Sequence, residues 1–137
     1  VQHAFEWAVL RVVPRVERGE SLNAGAVVYC QAAGFLAAGV ELDEARLRAL
    51  DPYADVDAVR QHLEAVRALC AGEPVAGVNG RRSAGERFRW LTAPRSTVVQ
   101  ASAVHTGMTA DPASELDRLV TVMVRPPRPR QAGCRDA

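Results

Sequence analysis

Arg81, Arg82, Arg87, Arg89 and Arg95 fall within fifteen residues, with Phe88 and Trp90 between them. Guanidinium forks beside aromatic faces are the groups that recognise phosphates, carboxylates and bases. Ser83 followed by Glu86 reads as a capping box, so a helix start adds free N–H groups to the same segment. Arg81, Arg82, Arg87 and Arg95 are therefore candidates for an anion, nucleotide or protein contact. The plainer alternative is that Phe88 and Leu91 dock a short helix and leave the arginines solvated.

A second concentration lies in PRVERGESLNAG, residues 14–25, where Arg15, Glu17, Arg18 and Glu20 put four charges into six residues. A hairpin closes with two to five polar residues, so this connection is longer and more charged than closure needs. Two readings stay open. Arg15 pairs with Glu17 or Glu20 while Asn23 caps a turn and Gly25 takes a positive φ; or Arg15, Arg18, Glu20 and Asn23 form a binding surface. Exposed ion pairs contribute at most about 1 kcal/mol each, which leaves the density of charge unexplained by structure alone.

Other chemistry is poorly supplied. His3, His62 and His105 lie forty or more residues apart. Cys-x-x-Cys and His-x-x-x-His are absent, and His62-Leu63-Glu64 lacks the Pro-Cys-x-x-Cys half of a zinc-deaminase signature. No metal site and no cofactor is expected. Cys30 falls in a strand and Cys70 on the apolar stripe of a helix, where a free cysteine behaves as a small hydrophobe. No Gly-x-Ser-x-Gly elbow occurs, and no catalytic residue is assigned.

The composition narrows the field further. All seventeen basic residues are arginine. Walker-type nucleotide binding, Schiff-base chemistry and the protein-kinase ATP site each use a lysine, so none operates here in its usual form. Three cysteines, odd in number and far apart, argue against a disulfide framework, and the chain reads as cytoplasmic with no membrane span or signal segment. Residues 81–95 hold five Arg and one Glu, whereas residues 41–73 hold eight acids and four Arg. These segments either face each other or are both solvated. With a net charge of +1 the chain makes a poor nucleic-acid footprint, so nucleic acid ranks last among its partners.

The elements that must position these groups follow from periodicity. Residues 4–13 carry apolar side chains on both faces and read as a central strand ended by Pro14; 25–30 and 34–40 read as a hairpin. A short helix starts after Asp43 and runs through Leu50. A longer one spans 55–71, capped by Asp55 or Asp57 and closed by Gly72. A Gly-rich loop, a short helix after Ser83 and a strand over 96–104 come next. The last helix opens at Asp111-Pro112 and ends before Pro126. The order β-β-β-α-α-α-β-α predicts an α+β domain over 1–124, with a roughly four-stranded, mostly antiparallel sheet and helices mainly on one face. Residues 125–137 read as a disordered Pro/Arg-rich tail.

The opening strand, RGESLNAG, the hairpin, RALDPYADVD, RFRWLTAPRSTVVQ and DPASELDRLV together resemble a bacterial domain-of-unknown-function family, numbered 3037, over roughly residues 4–124. The resemblance implies a small actinobacterial protein of a kind often encoded beside a HipA-like kinase. It suggests a partner or regulator of such a kinase and brings no activity with it. The favoured reading is a non-enzymatic accessory protein that contacts its partner through the 15–25 loop and the 81–95 segment. The rival is a binding protein or enzyme for an anionic small molecule, with Arg15, Arg18 and Arg95 as ligands and Glu20 as acid/base. Nucleic-acid binding through Arg81–Arg95 is the third.

Overall fold

The computed structural model describes residues 1–130. His3–Val12 (β1) forms the centre of an antiparallel sheet, as a strand apolar on both faces must. Leu22–Cys30 (β2) pairs with one edge of β1 and Phe35–Val40 (β3) pairs with β2 through the expected Gln31–Gly34 turn. The other edge of β1 is shared. Val99–Ala101 (β4) lies against Leu10–Val12, and His105–Thr109 (β5) lies against His3–Trp7. The fourth position of the sheet is thus filled by two short strands end to end, where the sequence pattern suggested one strand over 96–104.

Ser102 explains the split. Its N–H donates to the Val9 carbonyl at 2.8 Å, and its Oγ accepts from the Val9 N–H at 2.9 Å while donating to the Ala103 carbonyl at 2.9 Å. A side-chain hydroxyl takes the place of a ladder carbonyl, so the chain can leave the β1 edge and rejoin it without orphaning a buried donor.

The hairpin strand begins three residues earlier than its pattern indicates, because an extra residue, Ala24, is accommodated as a bulge. Leu10 pairs with Gly25 but Arg11 with Asn23. Gly25 therefore sits inside β2 with no positive φ, contrary to the turn role expected for it. A Cβ there would meet the Gly39 carbonyl at 2.7 Å. The positive φ of the preceding loop belongs to Gly19, at 71°.

Four helices cover the two faces. Glu44–Leu50 (α1), Val56–Ala71 (α2) and Ala84–Thr92 (α3) pack on the side of β1 that carries Ala8, Leu10 and Val12. Pro112–Leu119 (α4) and the π-helical turn Val120–Val124 cover the side that carries Phe5, Ala26 and Val28. Helices lie mainly on one face, with α4 on the other. Asp43, Asp55, Ser83 and Asp111 cap their helices by accepting from the N–H of Arg46, Ala58, Glu86 and Ser114 at 3.1, 3.1, 3.2 and 3.3 Å. The Gly-rich loop folds into 3₁₀ turns over Pro74–Arg81, broken at Gly77 and packed on α2.

Of the tail, residues 125–130 carry no regular structure. Arg125 nevertheless bonds Glu41 at 3.0 Å and Thr121 at 3.3 Å. Residues 131–137, with Cys134, lie outside the described residues.

Replacing Ser102 with alanine leaves the buried Val9 N–H without its acceptor. Ser102→Ala is expected to lower unfolding stability by about 1–3 kcal/mol, read as a shifted urea midpoint at constant m-value. A midpoint equal to that of the parent protein would show that the β1 edge does not depend on this hydroxyl.

Candidate functional site

The charged loop turns out to be anchored. Arg15 places Nε 3.1 Å and Nη2 3.4 Å from the two carboxylate oxygens of Asp51, which is only 7 % exposed at the C-terminal end of α1. The Tyr53 N–H donates to the same carboxylate at 2.9 Å. Arg15 therefore clamps the loop to the α1–α2 connection, rather than pairing with Glu17 or Glu20. Arg18 donates to Glu20 at 2.6 Å on the surface. Asn23 belongs to β2, where its side-chain N–H donates to the Met123 carbonyl at 3.0 Å and ties the sheet to the π turn. It is not part of the loop surface.

The arginines of 81–95 also disperse. Arg87 donates to the Arg82 carbonyl at 2.6 Å and to the Cys70 carbonyl at 3.2 Å, joining the end of α2 to the start of α3. Arg82 pairs with Glu86 at 3.5 Å, and Arg89 reaches Glu6 on β1 at 2.8 Å. Arg81 is exposed at the end of the 3₁₀ segment. Phe88 is fully buried against Tyr29, with ring centroids 5.3 Å apart, so it is a core residue. Within the acidic 41–73 segment Glu44 pairs with Arg48 and Arg60, and Arg67 with Glu64 and Glu73, while Asp51 and Glu41 take Arg15 and Arg125 from outside it. Arg48 and the Arg67 guanidinium hold the Glu44 and Glu64 carboxyls below the usual range.

Arg95 behaves differently. It hydrogen-bonds the Trp90 carbonyl and lays its guanidinium 4.4 Å from the centre of the Trp90 ring. Both side chains border a cleft of about 390 Å³ between α2, the 3₁₀ segment, and the stretch from α3 to β4. Leu10, Leu69, Leu91 and Ala101 give it an apolar floor; Asn79, Gln100 and His62 stand among the polar groups of its lining. A second cleft of about 460 Å³ lies between the Pro14–Glu17 stretch and the α1–α2 connection, lined by Arg15, Asp51, Tyr53 and Asp55. The two meet at His62, and their linings also adjoin at Val98 and Val99, where the chain enters β4. The two segments singled out in the sequence thus reach one face of the molecule, through Arg15 and Arg95.

Arg18 and Glu20 do not join them. Together with Arg15 they line only a recess of about 10 Å³. Arg81, Arg82 and Arg87 line neither cleft. What the sequence did not reveal is His62, Asn79 and Gln100. The one available signal was the position of His62 just off the apolar stripe of α2, which places it on the flank of the helix.

Burial among Phe88 and Leu91 pushes the Cys70 thiol up to about 12, against the pull of Arg87. It stays protonated at neutral pH, where a nucleophile needs the thiolate. Among the described residues, no three His, Cys, Asp or Glu side chains gather as a metal site, and no helix is long and apolar enough to cross a membrane.

Fold and clefts together define a small α+β protein with two adjoining, partly apolar clefts on one face. The chain belongs to the DUF3037 family, described as a protein of unknown function, which it matches over residues 7–124. Neither the curated proteins nor the solved structures contain a match to it.

The two loop arginines should separate cleanly. Arg15→Gln leaves a buried carboxylate short of its cation and is expected to cost about 1–3 kcal/mol of stability. Arg18→Gln breaks only an exposed pair and should change stability by less than about 0.5 kcal/mol. Equal denaturation midpoints for the two variants would contradict the anchoring role of Arg15. In a Cys134→Ser variant, a thiol reagent at pH 8 should label neither Cys30 nor Cys70 until denaturant is added.

Proposed function

We propose that this protein is a non-enzymatic accessory that works by binding another protein across the face containing the two clefts, with a HipA-like kinase as the partner to test first. The observation that supports this is the grouping of exposed apolar side chains on that face. Tyr53 is 85 % exposed, Val75 82 %, Val78 71 % and Trp90 46 %. Tyr53 borders the second cleft and Val75 and Trp90 border the first, while Val78 lies beyond the break at Gly77 and lines neither. Apolar side chains scattered singly over a surface are ordinary, whereas a cluster beside concave surface is typical of an interaction site.

The geometry also weighs against the rival in its original form. An enzyme using Arg15, Arg18 and Arg95 as anion ligands and Glu20 as acid/base needs those groups in one pocket. Here Arg18 and Glu20 pair with each other, Arg15 is engaged by Asp51, and Arg95 lies in a different cleft.

Co-expression with the HipA-like kinase of the same organism, followed by native mass spectrometry, tests the proposal. A heteromeric complex is expected. Tyr53→Ser and Val75→Ser should each weaken it at least about tenfold, roughly 1.4 kcal/mol, with unchanged unfolding midpoints, because both side chains are exposed. Absence of a complex removes the kinase as partner. A complex indifferent to both substitutions removes this face as its interface.

A further inference from the structure

We infer that the cleft between α2, the 3₁₀ segment and β4 is a binding site for a small organic anion with a flat apolar body, of the aromatic carboxylate class. The inference goes beyond the protein-partner reading and does not depend on it.

Size and shape come first. A volume of about 390 Å³ lies within the range of small-molecule sites, which are mostly apolar with a few placed polar groups. The floor is made by Leu10 and Ala101 of the sheet together with Leu69 of α2 and Leu91 of α3. Leu10 is fully buried, Leu91 is 4 % exposed and Leu69 6 %, so the bottom of the cleft is a fixed apolar surface rather than mobile side chains. The Trp90 ring stands at its edge, with one face under the Arg95 guanidinium and the rest of the ring adding planar apolar surface for a flat ligand.

Charge then selects the ligand. The ionisable residues lining this cleft are Arg95 and His62, and neither Asp nor Glu is among them. The neighbouring cleft is the opposite case, since Glu17, Asp51 and Asp55 line it and its arginine is engaged by Asp51. Arg95 is held in place by three interactions. Nη2 bonds the Trp90 carbonyl, Nε bonds the Ala93 carbonyl at 3.4 Å, and the guanidinium lies over the Trp90 ring. Nη1 makes no hydrogen bond among the described residues. The guanidinium is thereby pre-positioned with a donor to spare, which lowers the entropic cost of gripping a carboxylate. Gln100 adds to the rim. Its amide N–H donates to the Thr97 carbonyl at 2.8 Å, which fixes the side chain beside the site.

A neutral apolar ligand would leave Arg95 without a counter-charge, and a compact inorganic anion would leave the apolar floor exposed to water. The amphipathic anion satisfies both.

The test is a titration of the purified full chain with 2-naphthoate and with its neutral analogue 2-naphthamide, followed by calorimetry and by tryptophan fluorescence. Saturable 1:1 binding of the carboxylate is expected, with the amide at least about tenfold weaker. Arg95→Gln should lower naphthoate affinity at least about tenfold and erase the preference over the amide. Ala65→Trp provides a second variant. Ala65 lines the cleft from an exposed position on α2, so a large side chain there fills the cleft without burdening the core, and it should abolish binding of both compounds. Arg18→Gln should bind like the parent. Failure of naphthoate to saturate at millimolar concentration overturns the inference, as does equal affinity for the two compounds or binding that survives Ala65→Trp. If the kinase complex forms while naphthoate does not bind, the cleft belongs to the protein partner; the proposed function then stands and this inference falls.

Discussion

The structure depends on one constraint, that β1 is apolar on both faces and so must be covered from both sides. Ala8, Leu10 and Val12 require one layer of helices; Phe5 and its neighbours on β2 require another. The chain meets the first demand with three consecutive helices and the second with the C-terminal α4 and its π turn. This order of events explains why the last strands arrive late. β4 and β5 complete the far edge of β1 only after α1, α2 and α3 have been laid down, and they carry the chain across the end of the sheet to α4. The hydroxyl of Ser102 is what lets one edge accept two strands. Without the break at Ser102, β4 would continue straight along β1, and the chain would not step away between Ala101 and His105.

A chain with arginine as its only basic residue uses guanidinium groups structurally as well as electrostatically. Arg87, Arg95 and Arg46 all donate to main-chain carbonyls near the ends of helical segments, those of Cys70, Trp90 and Val124. A planar fork with five donors can satisfy such carbonyls and still reach a second acceptor, whereas an ammonium group has no such fixed geometry. Clusters of arginine that resemble a ligand site in one dimension are therefore divided among unrelated structural tasks in three. Arg15 and Arg18, three residues apart, illustrate the division. One engages a buried carboxylate from a distant element, and the other a glutamate two residues away at the surface.

Much of the fold was legible because local rules and tertiary needs coincide in it. Capping residues marked all four helix starts, and the stripe Val56, Val59, Leu63, Val66 and Cys70 gave both the length of α2 and its buried face, with Val66 half-buried at its margin. What was not legible had a non-local cause. Nothing around Ala24 announces a bulge, because the bulge is defined by Arg11 and Asn23 pairing across two strands. The apolar alternation of 96–104 gave no warning of a break, because the break is made by a serine hydroxyl bonding a residue 93 positions earlier. Asp51 gave no sign of being the partner of Arg15, since in the sequence Asp51-Pro52 simply reads as the end of the short helix that runs through Leu50.

The candidate site was harder to see for the same reason, but more sharply. Leu10, His62, Asn79, Trp90, Arg95 and Gln100 come from six elements or connections, and no two of the first four are close in sequence. A cleft of this kind forms where helices laid on a sheet leave a gap. Its lining is a by-product of where α2 ends and where the 3₁₀ segment turns back, at Gly72 and Gly77. The sequence carries a signal only for residues on a helix flank, which are neither buried by the stripe nor free on the outer face. His62 is such a residue, and it stands where the two clefts join. Arg95 is the complementary case. It was picked out for its charge, and it borders the cleft because the chain leaves the helical path at Ala93, immediately after α3, and brings its guanidinium back over Trp90.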